Sequence, residues 1–154
     1  MEINRLFYII SEGQIEAKDY VKWAYSMVEN KYTSPALNTL AFLEEPLNIF
    51  EVEQFFKRVL EELNLDEPTY EEQRNGQIQY LLQQIILEKD YAIRNGSEIY
   101  KIYRNNFDYD HHKTLVWYEI SEMIDDFQYG DNINNYSEEL LVQTIIQKAK
   151  EQII

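Results

Sequence analysis

Glycine and proline are scarce in this chain, with four glycines and three prolines among 154 residues. An all-β fold of this length would need many turns built on these residues, whereas long stretches of Glu, Gln, Leu and Lys favour helices. Apolar residues recur at three- and four-residue spacing along most of the chain, which is typical of amphipathic helices. We predict an all-α fold in which residues 1–154 form a single compact domain of about seven or eight helices.

Residues that can cap a helix mark several of the predicted starts. Asn48 and Thr69 are each followed three residues later by a glutamate, a spacing that allows a reciprocal capping box. Serines precede three other helical patterns, at Ser34, Ser97 and Ser137. Gly76 disfavours helix by about 1 kcal/mol relative to alanine, so we expect the helix after Thr69 to begin properly only beyond Gly76.

Two segments, 98–104 and 113–118, are also rich in residues that favour strands. An α+β fold with a small hairpin across 98–120 is therefore the alternative. We prefer helix for the second segment because an apolar stripe at helical spacing runs through it and Gly130 follows as a stop. The predicted stripe consists of Val116, Ile120, Met123, Ile124 and Phe127.

Composition excludes several functional classes. The chain has no cysteine, which rules out disulfides, thiol nucleophiles and cysteine-ligated metals. A net charge of -14 cannot provide the positive field that binding to nucleic acid requires. No apolar run approaches the ~18 residues of a membrane span, and no basic region begins a signal peptide. We expect a cytoplasmic protein that binds neither nucleic acid nor a membrane.

The two histidines of the chain, His111 and His112, stand beside Asp108 and Asp110. Imidazole and carboxylate groups can ligate zinc, manganese or iron, but adjacent side chains point in different directions and the spacing differs from that of helical metal motifs. We expect an exposed polar loop with no metal, no cofactor and no catalytic residue. A metal-dependent hydrolase that combines this cluster with the carboxylates of residues 119–126 is the alternative.

The acidic residues are concentrated in two blocks. Residues 44–72 carry ten acids against two bases, residues 108–139 carry nine against one, and each block therefore has a net charge of -8. The rest of the chain has nine acids and eleven bases. If the blocks meet in space, they form one strongly negative face, and we expect Glu51, Glu53, Glu119, Glu122 and Asp126 to be exposed on it.

Tyrosines are interleaved with the acids of these blocks, and tyrosine is a favoured anchor at protein interfaces. We therefore predict a non-catalytic binding protein of the immunity or inhibitor type, which neutralises a basic partner such as a toxin or nuclease. A helical regulatory or scaffold module is a further alternative. The predicted partner-binding residues are Glu51, Glu53, Tyr109, Tyr118, Glu119, Glu122, Asp125, Asp126 and Tyr129.

Overall fold

The computed structural model describes residues 1–105 and 111–154, with all side chains except that of His111. These residues form eight α-helices and one 3-10 turn, Lys89–Tyr91, and contain no strand. The all-α prediction is confirmed, and the alternative hairpin across 98–120 is wrong because the described parts of both segments are helical. The helices are α1 (Ile3–Ser11), α2 (Ala17–Glu29), α3 (Pro35–Ala41), α4 (Ile49–Glu62), α5 (Tyr70–Leu87), α6 (Ala92–Arg104), α7 (His111–Tyr129) and α8 (Glu138–Gln152).

The chain divides into two compact units, unit 1 (Met1–Gln77) and unit 2 (Ile78–Ile154). Helix α5 contributes its first part to unit 1 and its second part to unit 2. The organisation of residues 1–154 as a single domain stays a prediction. None of the helices in the described ranges combines the length and the apolar composition that a bilayer crossing requires.

The core of unit 1 is centred on the ring of Phe56 in α4. The rings of Phe7, Tyr20 and Trp23 lie 5.6, 5.0 and 5.2 Å from it, in tilted or edge-on arrangements. Aromatic pairs with this geometry each contribute about 0.5–1.5 kcal/mol beyond the burial of their area. Because these rings come from α1, α2 and α4, they join three helices of unit 1.

The predicted caps form at most of the expected starts. The hydroxyl of Ser34 accepts a hydrogen bond from the amide of Leu37 at 3.1 Å, and the side chain of Asn48 accepts one from Phe50 at 2.9 Å. At the start of α5, the amide of Thr69 donates to the Glu72 carboxylate at 2.8 Å, and the amide of Glu72 donates to the Thr69 hydroxyl at 3.3 Å. These bonds satisfy amides that the first turn of a helix leaves without partners.

Gly76 does not delay α5, contrary to our expectation, because the helix already begins at Tyr70. The glycine instead permits a close approach between α5 and α1. A β carbon at this position would lie 2.7 Å from the Cβ of Asn4 and 2.8 Å from the backbone nitrogen of Arg5. The glycine is therefore required by packing inside unit 1, and this close contact outweighs its poor helix propensity.

In unit 2, α6 packs against α7 and α8. Gly96 of α6 faces the buried side chains of Ile120, Ile124 and Ile145. The predicted cap at Ser97 is wrong, since Ser97 lies in the interior of α6, which begins at Ala92 directly after the 3-10 turn. The start of α8 is as predicted: the Ser137 hydroxyl accepts a hydrogen bond from the Leu140 amide at 3.1 Å.

The buried stripe of α7 is centred differently from the predicted one. Trp117, Ile120 and Ile124 are buried, whereas Val116 and Phe127 are half-buried. The helix ends at Tyr129, immediately before Gly130, as the sequence predicts. With Trp117 at the centre of the buried face, the carboxylates of α7 divide between exposed and half-buried positions.

Candidate functional site

Six of the nine predicted partner-binding residues lie on α7 in unit 2: Tyr118, Glu119, Glu122, Asp125, Asp126 and Tyr129. Glu51 and Glu53 lie on α4 in unit 1. Tyr109 lies outside the described residues. The meeting of the two acidic blocks on one face stays a prediction, and the candidate site is built from α7 and its neighbours in unit 2.

Exposure distinguishes these carboxylates from one another. Glu51, Glu119 and Glu122 are exposed, as expected, and Asp125 is exposed beside them. The expected exposure of Glu53 and Asp126 is wrong, since both residues are half-buried. Half-burial gives these two side chains neighbours inside their own unit.

Glu53 lies beside Tyr20, which is 2% exposed in the core of unit 1. Burial of the hydroxyl, together with the nearby Glu53 carboxylate, raises the pKa of Tyr20 to about 12. Both effects oppose the formation of a negative tyrosinate. Glu53 therefore helps to raise the pKa of a buried tyrosine in unit 1, whether or not it also contacts a partner.

The exposed carboxylates of α7 form no ion pair in the described parts of the chain. No described lysine or arginine forms an ion pair with Glu119, Glu122 or Asp125. Glutamates elsewhere do find lysines, as in the pair of Glu98 with Lys101 at 2.7 Å. The described residues therefore form no ion pair with this acidic surface, although Arg94, Lys101 and Arg104 line the same groove as Glu122 and Asp125.

The cations of the neighbouring helix α6 are engaged elsewhere. The guanidinium of Arg94 lies over the ring of Tyr91 at 4.8 Å, and that of Arg104 lies 5.9 Å from the ring centre of Tyr100. An open groove of about 750 Å³ separates this row of cations from the α7 carboxylates that border it. Arg94 and Arg104 each stack on a tyrosine of their own unit, and Lys101 pairs with Glu98, so none of the three forms an ion pair with the acids of α7.

On its other side, α7 borders a second groove of about 600 Å³, which we call the α7 groove. Its far wall is formed by residues 133–136, in the loop between α7 and α8. Ile133 of this wall is 84% exposed. The lining residues are Tyr118, Glu119, Glu122, Met123, Asp126, Ile133, Asn134 and Tyr136.

The loop wall is held in place by one asparagine. The side-chain amide of Asn132 donates to the carbonyl of Tyr136 at 2.9 Å, and its oxygen accepts from the amide of Tyr136 at 2.8 Å. Asn132 and Asn135 have positive φ angles of 45° and 52°, which asparagine tolerates better than most residues. Two side-chain bonds across five residues therefore fix the position of Tyr136.

Asp126 lies at the base of the groove wall. Its Oδ2 atom is buried and has no hydrogen-bond partner among the described residues. A β carbon at position 130 would lie 2.9 Å from its Oδ1 atom, so Gly130 leaves the space that this carboxylate occupies. Asp126 thus adds negative charge to the groove from a half-buried position.

The predicted partner-binding residues do not include Ile133, Tyr136 or Asn132. The segment 131–136 contains three asparagines between Gly130 and Ser137, a composition that predicts tight turns with left-handed residues. That signal could have identified an ordered loop. It could not have shown that the loop lies against α7.

The metal cluster considered from the sequence is only partly described. His111 and His112 are the first two residues of α7, so the expected loop is wrong at these positions, and Asp108 and Asp110 lie outside the described residues. Over residues 1–105 and 112–154, no three His, Asp or Glu side chains are grouped so that they could hold a metal ion. The absence of a metal at 108–112 stays a prediction.

Comparison with known proteins finds no matching family model, no similar curated protein and no similar solved structure. Functional inference therefore depends on the chemistry of α7 and the α7 groove.

Proposed function

We propose that this chain is a non-catalytic binding protein that holds a basic protein partner against α7 and the α7 groove. The partner is of the kind that an inhibitor or immunity protein neutralises, such as a basic toxin or nuclease. The observation that carries the proposal is the row of α7 carboxylates without described ion pairs, placed beside exposed apolar and aromatic side chains.

Charge supports a basic partner. Glu119, Glu122 and Asp125 leave a negative field at the surface of a chain whose net charge is already -14. Such a field accelerates encounters with a positively charged protein and disfavours acidic competitors. Lysine or arginine side chains of the partner would form the ion pairs that the described residues do not provide.

Exposed apolar area supports a protein as the partner. Tyr129 and Ile133 are each 84% exposed, and Tyr118 is 42% exposed. Tyrosine provides a large contact area with few rotatable bonds and a polar tip, which is why it is frequent at the centre of protein interfaces.

The shape of the α7 groove suits an inserted side chain. Its volume of about 600 Å³ exceeds what one lysine or arginine needs, and the Asn132 bonds to Tyr136 fix one wall before binding. A wall that is already ordered reduces the conformational entropy lost on association. The aliphatic stem of an inserted residue would lie along Ile133 and Met123 while its charged end reaches Glu119 or Glu122.

The proposed function is tested by purifying the wild type and two variants from the source organism and comparing the proteins that copurify with each. The variant Glu119→Lys with Glu122→Lys reverses two groove carboxylates, and the matched control Glu12→Lys with Glu29→Lys reverses two exposed carboxylates in unit 1. Both variants change the net charge equally. We expect one basic protein, encoded beside the gene for this chain, to copurify with the wild type and the control and to be lost from the α7 variant. Equal retention by all three proteins would contradict the proposed site.

A further inference from the structure

The groove of about 750 Å³ between α6 and α7, which we call the α6–α7 groove, carries charges of both signs. Arg94, Lys101 and Arg104 line it from α6, and Glu122 and Asp125 line it from α7. Over its whole length, three basic side chains stand beside four acidic ones. The α7 groove, in contrast, is lined by three acids and no base. The α6–α7 groove therefore suits a partner that itself presents both charges.

Two arginines on the α6 side of this groove are able to bind a carboxylate. Lys101 pairs with Glu98 of the same helix at 2.7 Å, whereas no described carboxylate pairs with Arg94 or Arg104. Both guanidiniums lie over tyrosine rings, and stacking engages the planar face of a guanidinium. The hydrogen bond from the Nε atom of Arg94 to Asn95, at 3.4 Å, leaves its terminal nitrogens free to donate.

Contacts between α6 and α7 show which residues face each other across the groove. The rings of Tyr100 and Tyr118 lie 5.7 Å apart. Gly96, four residues earlier on α6, lies against Ile124, six residues later on α7. The two helices are therefore antiparallel neighbours, in which residue numbers rise along one helix as they fall along the other.

This register puts Arg94 and Asp125 at one level of the groove, on opposite sides. Asp125 is exposed and forms no ion pair within the described residues. A second copy of the chain, turned by 180° about an axis along the groove, places its α7 over the α6 of the first copy. Arg94 of each copy then meets Asp125 of the other, because a two-fold interface is reciprocal. The α6–α7 groove is thus complementary to itself in charge.

We propose that the α6–α7 groove is the interface of a homodimer, with Arg94 of each copy paired to Asp125 of the other. The second copy also covers Tyr129, which lines this groove and is 84% exposed. The net charge of -14 on each copy opposes association, but at about 0.15 M ionic strength charges farther apart than about 8 Å are largely screened. The α7 groove lies on the other side of α7, so the dimer is independent of the proposed function.

Sedimentation equilibrium of the full chain tests the dimer at about 0.15 M ionic strength and about 5–500 µM chain. We expect the wild type to pass reversibly from monomer to dimer in this range. Arg94→Glu and Asp125→Arg each place like charges at both contacts, so each variant alone should dimerise about tenfold more weakly or worse. The controls Lys22→Glu and Glu29→Arg make the same charge changes at exposed positions of unit 1 and should dimerise about as tightly as the wild type.

An equal mixture of Arg94→Glu and Asp125→Arg provides the decisive measurement. The two chains present opposite charges to each other at both contacts, and their total charge equals that of two wild-type chains. Dimers should therefore return, with a dissociation constant close to that of the wild type. A mixture that stays monomeric would overturn the proposal, as would single variants that dimerise like the wild type. A wild type that remains monomeric up to about 500 µM would also overturn it.

NMR of the wild type gives a second measurement that needs no variant. The backbone amide signals of Arg94, Asp125 and Tyr129 should shift progressively as the chain concentration rises over the same range. If sedimentation shows dimers while these signals stay in place, the interface lies elsewhere and the proposal is wrong.

Discussion

The indole nitrogen of Trp117 donates a hydrogen bond to the side-chain oxygen of Gln152 at 2.9 Å, which connects α7 to the end of α8. Trp117 is fully buried. Next to this bond, the amide of Ile154 donates to the side-chain oxygen of Gln79 at 3.0 Å, and the side-chain nitrogen of Gln79 donates to the carbonyl of Gln152 at 3.4 Å. These bonds hold the back of α7, and thereby the orientation of its acidic face, within unit 2.

Gln152→Ala should therefore lower the free energy of unfolding by about 1–3 kcal/mol, since it leaves a buried indole N–H without an acceptor. Gln147→Ala is the matched control, because Gln147 is exposed and bonds to Glu151 at the surface. Its effect should stay within about 0.5 kcal/mol. Urea denaturation followed by tryptophan fluorescence measures both, and equal effects would contradict a structural role for the Trp117 bond.

Substitution by alanine should have opposite effects on stability at Gly76 and at Gly96. Gly76→Ala places a methyl group 2.7 Å from the Cβ of Asn4, and we expect it to destabilise the protein by about 1–3 kcal/mol. The nearest atoms to a β carbon at Gly96 lie at 3.4–3.6 Å, which is ordinary contact. Gly96→Ala should leave stability unchanged or raise it by up to about 1 kcal/mol through helix propensity. Chemical denaturation distinguishes these outcomes, and a neutral Gly76→Ala would contradict the close packing of α1 and α5.

The raised pKa of Tyr20 predicts a loss of stability at high pH. Burial, with the Glu53 carboxylate nearby, raises the pKa of Tyr20 to about 12, whereas a tyrosine in the unfolded chain ionises near 10. The stabilisation that follows from the raised pKa of Tyr20 is fully present below pH 10 and is lost as the pH rises through about 12. Its contribution to the free energy of unfolding is on the order of 2–3 kcal/mol. Tyr20→Phe should weaken this pH dependence, and Tyr32→Phe, at an exposed position, should not. Unfolding measured from pH 9 to 12 tests the difference, and identical pH profiles would refute it.

Asn132→Gly keeps a residue that adopts positive φ and removes both side-chain bonds to Tyr136. Hydrogen exchange of the Tyr136 amide should accelerate by about five- to tenfold, because its acceptor is lost. Asn134→Gly, an equal change at an exposed position of the same loop, should leave this amide unaffected. Equal protection of the Tyr136 amide in both variants would show that the groove wall is ordered by other contacts.

Local sequence signals predicted most helix boundaries, because caps and stops depend on residues close together in the chain. Ser34, Thr69 and Ser137 act as expected for this reason, whereas Asn48 caps its helix without the expected reciprocal bond to the Glu51 side chain. The prediction for the start of α5 was wrong because a contact between residues far apart in the sequence determines which residue is needed there. Gly76 was interpreted through helix propensity alone, but its contact with Asn4 joins positions far apart in sequence.

The candidate site was predictable in its charge and less so in its shape. The clustering of acids around residues 119–126 follows directly from the sequence. The half-burial of Asp126 does not, because the buried stripe of α7 is centred on Trp117. The wall formed by Ile133 and Tyr136 also depends on how the Asn132 loop folds back against α7, which no local pattern specifies.

The central claim is that the carboxylates of the α7 groove accelerate association with a basic partner. Stopped-flow or interferometric association rates, measured against ionic strength with the partner identified by copurification, test it most directly. We predict that Glu119→Lys with Glu122→Lys slows association by about tenfold at low ionic strength and flattens its salt dependence. Glu12→Lys with Glu29→Lys should change the rate far less at the same net charge. Equal rates and equal salt dependence for the two variants would contradict the claim.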